Sequence, residues 1–371
     1  MNINYKINKK NHSVIFCNNI DESKYILKKI HQENTDKKIL LLFDRRLKSY
    51  VSKLLSNIKK KREFKIISLN LNSNKINKTE KAVFKILDKL IDNKFTKKSV
   101  IISIGGGVIG DISALASSLY YRGLIYYHIP TTMTSLVDSC IGGKTGINYR
   151  NIINSVGNYY HPNNVFISKK IINSMPKREY FSGLPEIIKC GLIDSNKTIE
   201  LLKDNSAKII NRDYNFLSKL IFITLKTKIK YFKEDIYESQ RRLNLNFGHT
   251  FAHAIEMAIQ SKTKDIIRHG EAVGIGMLCE LYFFNGKDKI FYALKSLLNQ
   301  YALPININKF IKSKNKKKIS NQIYKYIFLD KKKINEHPRC IKILGVGKPK
   351  VVEMRQNKKI KETIERVIFD N

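Results

Sequence analysis

The sequence predicts two domains, an α/β domain over residues 1–170 followed by an all-helical domain over residues 171–371. Up to about Ile171, short aliphatic and β-branched runs alternate with segments of helical periodicity. Beyond that point strand signals almost vanish and helical spacing takes over. A glycine turn joins a strand-like to a helix-like segment in the first half, as α/β units require. At 371 residues, the chain has room for two domains that each bury a core.

In chain order, Ile39 to Phe43 and Phe64 to Leu69 have the composition of short buried strands, and Thr79 to Ile91 that of a helix. Val100 to Ile104 is a third strand, and Ile125 to Ile129 a fourth that ends at Pro130. Such alternation points to a largely parallel sheet. The domain boundary falls near Ser168 to Met175, just before Pro176. Past it, Pro185–Ile193, Phe216–Tyr231, Thr250–Ile259 and Ala272–Phe284 space their apolar residues as helices do.

The glycine turn is the richest segment. The strand Val100 to Ile104 runs into Gly105, Gly106, Gly107 and Gly110, and a helix is expected from Asp111 to Tyr121. Glycine lets the backbone approach a ligand closely, and a helix N-terminus presents N–H groups and positive dipole to a phosphate. Gly105, Gly107 and Gly110 match the dinucleotide spacing G-x-G-x-x-G, but about 20 residues on, where an acidic ribose partner belongs, stand His128 to Thr132. The reading is a phosphate cradle that departs from the standard dinucleotide fingerprint; the bland alternative is a turn with no ligand.

Three segments of the helical half carry metal-type chemistry. Pro185 suits a first helical turn and sets Glu186 and Lys189 three apart on one face. His249 and His253 share a face at i, i+4, and His269-Gly-Glu271 opens another helix. Two histidines and a carboxylate without cysteine suit zinc or a similar divalent ion with an open position, and spacing alone pairs His249 with His253. The competing readings are satisfied core histidines and a surface Glu186–Lys189 ion pair. Lys189, Lys228 and Arg242 offer charge to an anionic substrate.

Composition sets the bounds. The formal net charge is +38, yet the lysines are spread along the chain among asparagine and isoleucine, without an RNA-binding signature or zinc finger. The expectation is therefore an anionic small substrate and no nucleic acid. No apolar run reaches the roughly 18 residues of a membrane span, and the N-terminal segment lacks a secretory apolar core, so no membrane association is expected. Cys17, Cys140, Cys190, Cys279 and Cys340 are scattered without a CxxC pair, as in reduced cytoplasmic proteins.

Taken in order from about Ser99 to Ala272, these segments resemble the 3-dehydroquinate synthase family: GGGVIGD, YxRG around Arg122, PTT at Pro130 to Thr132, DSCIGGKT at Asp138 to Thr145, the Glu186–Lys189 segment, LNFGHT and HGEAV, with an echo at Asp330-Lys331-Lys332. The resemblance implies an NAD-binding α/β domain, a helical domain holding zinc or cobalt, and an active site in the cleft between them. It implies metal ligands Glu186, His249 and His269, which moves His253 from the metal to the substrate. NAD would meet Asp44, Lys78, Gly105, Gly106, Gly107, Val108, Asp111, Thr131, Thr132, Asp138, Lys144 and Ser174. The substrate, a phosphorylated sugar acid, would meet Lys144, Asn154, Lys189, Lys228, Arg242, Asn246, His253 and Lys331, with Arg122 arriving from the partner in a homodimer.

The implied reaction converts 3-deoxy-D-arabino-heptulosonate 7-phosphate to 3-dehydroquinate and phosphate. NAD oxidises the C5 hydroxyl, phosphate leaves by β-elimination, the ketone is reduced again, and the ring opens and closes by an aldol step. The chain departs from the family pattern mainly on the cofactor side. Ser73-Asn74-Lys75 replace an acidic segment of which Lys78 remains, Arg46 stands two beyond Asp44 where asparagine is expected, and Ile153 replaces a lysine before Asn154. Ala252 replaces a glycine in the histidine motif. These changes imply weaker NAD binding and more tolerance of a 2′-phosphate. The rival readings are a metal-dependent polyol or alcohol dehydrogenase of related fold, a cyclase for another sugar phosphate, and a degenerate basic protein.

Overall fold

A computed structural model describes residues 1–18, 22–33, 35–59, 63–150, 152–259, 266–312, 315–329 and 337–369. The chain divides into two compact units, Met1–Met175 and Pro176–Asn371.

Among its described residues the first unit has nine strands: β1 (Asn2–Ile7), β2 (Lys10–Cys17), β3 (Lys38–Asp44), β4 (Lys65–Leu71), β5 (Val100–Gly105), β6 (Ile125–Pro130), β7 (Lys144–Tyr149), β8 (Ile152–Tyr159) and β9 (Asn164–Ser168). Seven form one sheet in the order β1-β2-β9-β6-β5-β3-β4, parallel except for the β1–β2 hairpin. The central strand β5 is buried throughout, as its Val-Ile-Ile-Ser-Ile-Gly sequence demands of a strand covered on both faces. Chain order runs outward from β3 to β4, returns to β5, then runs the other way to β6. The switch point thus lies between β3 and β5, and ligands of open α/β sheets bind beyond the strand ends at such points.

Two features differ from expectation here. The helix after the glycines spans Gly107–Leu119, not Asp111 to Tyr121, so Gly107 and Gly110 lie within it. Gly106 is its N-cap, and Tyr121 and Arg122 have left-handed backbone (φ 47° and 59°) that ends the helical run. The β1–β2 hairpin was not expected. Its outward Asn and Lys residues mask the inward Ile3, Tyr5 and Ile7, and Asn8 and Lys9, with φ of 47° and 66°, make the tight turn. The Glu80–Asp92 and Gly107–Leu119 helices close the core with Val83, Ile86, Ile109 and Ile112 against Leu40, Leu42 and Ile101.

The second unit is helical, with one correction to the all-helical expectation: β10 (Arg339–Ile343) and β11 (Pro349–Glu353) form an antiparallel hairpin. Their pattern is short and lysine-rich, and Gly347 (φ 80°) turns the chain between them. The hairpin staples two helices together. Thr250 Oγ1 of the His249–Ile259 helix donates to the Arg339 carbonyl (2.7 Å), and Glu280 of the His269–Asn285 helix accepts from Ile341 N–H (2.8 Å). These helices also pack backbone to backbone. A Cβ on Gly276 would lie 2.0 Å from the Gly248 carbonyl oxygen, so only glycine fits. Among the described residues no helix is long and apolar enough to cross a membrane, and all five cysteines are buried and unbridged.

Candidate functional site

Helix starts assemble a centre in the second unit. Glu186 sits in the first turn of the Leu184–Asp194 helix, while His249 and His269 each open their own helix. Pro185 fixes the first of these starts. Glu186 is 1% exposed, and one atom from each of the three residues lies within 4.8 Å of the others. The ring orientations are set from behind. His249 Nδ1 faces the Phe247 carbonyl at 3.1 Å, and His269 Nδ1 faces Glu256 Oε2 at 2.9 Å. A neutral imidazole that spends its N–H on such an acceptor turns the lone pair of Nε2 the other way. Both Nε2 atoms point at Glu186 Oε1, from 3.6 Å and 3.4 Å.

This donor set fits a divalent cation: two imidazole nitrogens, one carboxylate oxygen and backing acceptors of the kind that orient metal-bound histidines. The electrostatics agree. Burial disfavours charge on His269, yet Glu256 and Glu186 outweigh it and push the ring up to about 10. The centre attracts positive charge.

The pairing predicted from spacing is thereby corrected. His253 is a neighbour of His249, with ring centroids 5.6 Å apart, but Glu186 and His269 reach His249 from other helices. His253 groups instead with Glu256 and His269. Glu256 was missed, although its signal was present: residues 249, 253 and 256 recur at i, i+4, i+7 on one helical face. Glu271 caps its helix through Arg268 N–H and pairs with Arg178, outside the cluster. The Glu186–Lys189 pair is no surface ion pair. Both side chains are 1% exposed, with Lys189 Nζ 2.5 Å from Glu186 Oε2.

Further buried cations stand on elements packed against the Leu184–Asp194 helix. The Leu184–Asp194 helix, the Tyr214–Phe232 helix and the Arg241–Asn246 turn pack against one another, and carry Lys189, Lys228 and Arg242 respectively. Lys228 and Arg242 are 6% and 2% exposed. The loop before Arg242 is wound around Asp235, whose carboxylate accepts from the backbone N–H of Ser239, Gln240 and Arg242 (2.8–2.9 Å). Arg242 also donates to the Ile236 carbonyl (2.6 Å) and lies over the Phe232 ring. Asn246 donates to Glu238 at 2.6 Å. Asp235 and Glu238 escaped sequence reading because an acidic residue in a charged loop has no periodicity to mark it. Lys331 lies outside the described residues.

In the first unit, the glycines line the end of β5. A Cβ on Gly106 would lie 2.9 Å from Thr132 Cγ2, and one on Gly107 3.4 Å from Ser139 Oγ, so bare backbone faces the mouth of the helix. Val108 lies in the first turn and Thr131 N–H is tied to the Gly105 carbonyl (3.0 Å), at a glycine-lined helix start of the kind that receives phosphate. Thr132 accepts from Ser135 N–H at 3.2 Å, and Asp138 belongs to the helical turn Ser135–Ser139 that follows. Lys78 pairs with Asp111 and donates to Asn154 at 2.6 Å, which joins three expected residues from distant positions. Lys144 opens β7 with its side chain exposed, Ser174 is exposed at the end of the Lys169–Ser174 helix, and Arg122 is exposed in its left-handed turn.

An acidic residue, Asp44, stands upstream of the glycines. β3 pairs with β5 through Phe43 and Ile104, which leaves Asp44 level with Gly105 across the switch point. The strand next to the glycine turn precedes it in the chain, so sequence distance from the glycines does not reveal this neighbour.

The chain matches the family models for the 3-dehydroquinate synthase N-terminal domain over residues 68–182 and its C-terminal domain over 183–333. It is 38% identical to the 3-dehydroquinate synthase of Dictyoglomus thermophilum over 76% of this chain and 78% of that protein. To the Pelagibacter ubique 3-dehydroquinate synthase it is 35% identical over 95% and 94%. Among solved structures, 2-deoxy-scyllo-inosose synthase complexed with carbaglucose-6-phosphate, NAD⁺ and Co²⁺ is 25% identical, with a TM-score of 0.85 over 99% of this chain and all of that one. A probable glycerol dehydrogenase from Sinorhizobium meliloti shares the fold at 13% identity and a TM-score of 0.66, covering 95% of this chain and 94% of its own. The chain belongs to the 3-dehydroquinate synthase family.

Proposed function

We propose that this chain is a cytoplasmic 3-dehydroquinate synthase that converts 3-deoxy-D-arabino-heptulosonate 7-phosphate to 3-dehydroquinate and phosphate. The observation that carries the proposal is the convergence of His249 Nε2 and His269 Nε2 on Glu186, beside the buried Lys189. Glu186, His249 and His269 would hold zinc or cobalt, and the cradle from Gly105 to Val108 with Asp44, Lys78, Asp111, Thr131, Thr132, Asp138, Lys144 and Ser174 would hold NAD. When bound, NAD supplies a hydride acceptor that returns the hydride within the same turnover, and the metal supplies a Lewis acid.

The chain's own groups do the rest. Arg242, held rigid by Asp235 and Ile236, and Lys228 grip the substrate carboxylate; their burial makes each charge-assisted contact strong. Lys189 is buried against Glu186 and presents a fixed positive charge to substrate oxygens. Asn246, oriented by Glu238, donates or accepts at a hydroxyl. His253 stands at the rim of the cluster with Glu256 near it, placed to hold or pass a proton at a substrate oxygen. Lys144, Asn154 and Lys331 serve the phosphate end. Arg122 reaches the site of a second copy in a homodimer; its exposed left-handed turn, flanked by exposed Leu119 and Tyr121, supports that role.

A simple alcohol would need no such set of buried cations, and a sugar phosphate without a carboxylate would make no use of Arg242 and Lys228 as a carboxylate grip. The test is incubation with the heptulosonate phosphate, catalytic NAD⁺ and Zn²⁺. Phosphate release without accumulating NADH supports the proposal; NADH that accumulates with oxidised product overturns it in favour of a dehydrogenase.

A further inference from the structure

The end of β3 carries an arrangement that the proposed reaction does not require. Asp44 is 4% exposed, and Arg46 covers its carboxylate. Arg46 Nε lies 3.1 Å from both Asp44 oxygens, one terminal nitrogen lies 2.6 Å from Oδ2, and the Arg46 backbone N–H donates to Oδ1 at 3.0 Å. The same terminal nitrogen donates to Ser73 Oγ at 2.6 Å, which ties β3 to the segment after β4. The Arg46 side chain is 66% exposed, so the guanidinium and not the carboxylate is the group a ligand meets.

An acidic residue level with the glycine turn selects an unphosphorylated ribose: it accepts from the 2′-hydroxyl and repels a 2′-phosphate, whereas an arginine there accommodates that phosphate. Here the acid is neutralised by the arginine above it, with a serine hydroxyl at hand. Burial favours the neutral acid, but the bonds from Arg46 prevail and hold Asp44 below its usual carboxylate range, so the pair is ionic. A planar guanidinium suits a phosphate monoester through parallel N–H···O bonds.

We infer that this dinucleotide site takes the 2′-phosphorylated cofactor, NADP⁺, as well as NAD⁺, and that Arg46, assisted by Ser73, decides between them. The inference rests on the reading of the first unit as a nicotinamide dinucleotide site. Arg46 leaves Asp44 in part to bind the phosphate, and for NAD⁺ it stays, so that the ribose hydroxyls share the Asp44 carboxylate with Arg46. Both effects narrow the preference.

Calorimetric titration of NAD⁺ and NADP⁺ into the whole chain at fixed ionic strength tests this. The wild type is expected to bind the two within about tenfold of each other, and Arg46→Ala to shift the ratio toward NAD⁺ by about tenfold or more, the scale of one charge-assisted hydrogen bond. Arg45→Ala, which removes an equal charge next door, should leave the ratio unchanged. Arg46→Gln removes the charge but keeps hydrogen bonding to Asp44, and shifts the ratio the same way if Arg46→Ala disturbs folding. NADP⁺ binding over a hundredfold weaker than NAD⁺ in the wild type, or an Arg46 variant with an unchanged ratio, overturns the inference while leaving the cofactor site intact. Binding of neither cofactor overturns the site reading itself.

Discussion

The two units carry their functional charges differently. In the second, Glu186, Lys189, Lys228 and Arg242 are almost wholly buried and held by several elements each. In the first, the positions that depart from the family pattern are exposed: Arg46 is 66% exposed and Ile153 52%. A buried charge without its partners costs several kcal/mol, so a buried centre admits few replacements. An exposed rim is screened by water, and a substitution there alters selectivity before it threatens the fold. The departures from the family pattern at Arg46, Ser73 and Ile153 fall on the tolerant side, and the metal-type donors on the intolerant one.

The comparison breaks first at the centre. His269→Ala should abolish both turnover and bound metal, whereas His253→Ala should keep the metal and lose turnover by about 10²-fold or more. Metal content by atomic absorption separates the two. Metal lost in His253→Ala but kept in His269→Ala would make the spacing pair the true ligand set, and equal loss in both would point to His253, Glu256 and His269.

Arg242→Ala comes next. Removing one partner of a buried, hydrogen-bonded charge pair costs about 2–5 kcal/mol, so a carboxylate-bearing substrate analogue should bind at least about thirtyfold more weakly. An analogue without the carboxylate should bind equally to both proteins, and isothermal titration of the two ligands reads the difference.

The smallest effect concerns pH. Burial tends to raise the Asp235 carboxyl, but the N–H groups of Ser239, Gln240 and Arg242 lower it overall below 3.8. A depressed carboxylate stabilises the folded state above its unfolded pKa, and that contribution is lost as pH falls through the folded value. Asp235→Asn should therefore be less stable near neutrality, by about 1–3 kcal/mol for the disturbed hydrogen bonds, and lose less on acidification. Denaturant melts at pH 7 and pH 3 measure both; parallel losses in the two proteins would remove Asp235 from its role in ordering the Arg242 loop.

Much of this was legible in the sequence, for reasons that differ by element. The strands Ile39–Phe43, Val100–Ile104 and Ile125–Ile129 announced themselves because a parallel strand buried on both faces must be apolar throughout. The β1–β2 hairpin and the β10–β11 hairpin did not, since one polar face makes each look like loop. Glu186, His249 and His269 were readable as candidates by residue type, but their grouping into one set came from the resemblance: three helix starts meet only through tertiary packing. Glu256 was written in the helical period and overlooked, whereas Asp235 acts through loop hydrogen bonds that no period records.

In the proposed reaction a hydride leaves the substrate and returns to it within one turnover. The most direct measurement uses heptulosonate phosphate deuterated at C5, with NAD⁺ at a small fraction of the substrate concentration. The expected result is many phosphates released per NAD⁺, no net NADH, and the deuterium retained in the product. Release limited to one equivalent of NAD⁺, or deuterium found in free reduced cofactor, would contradict it.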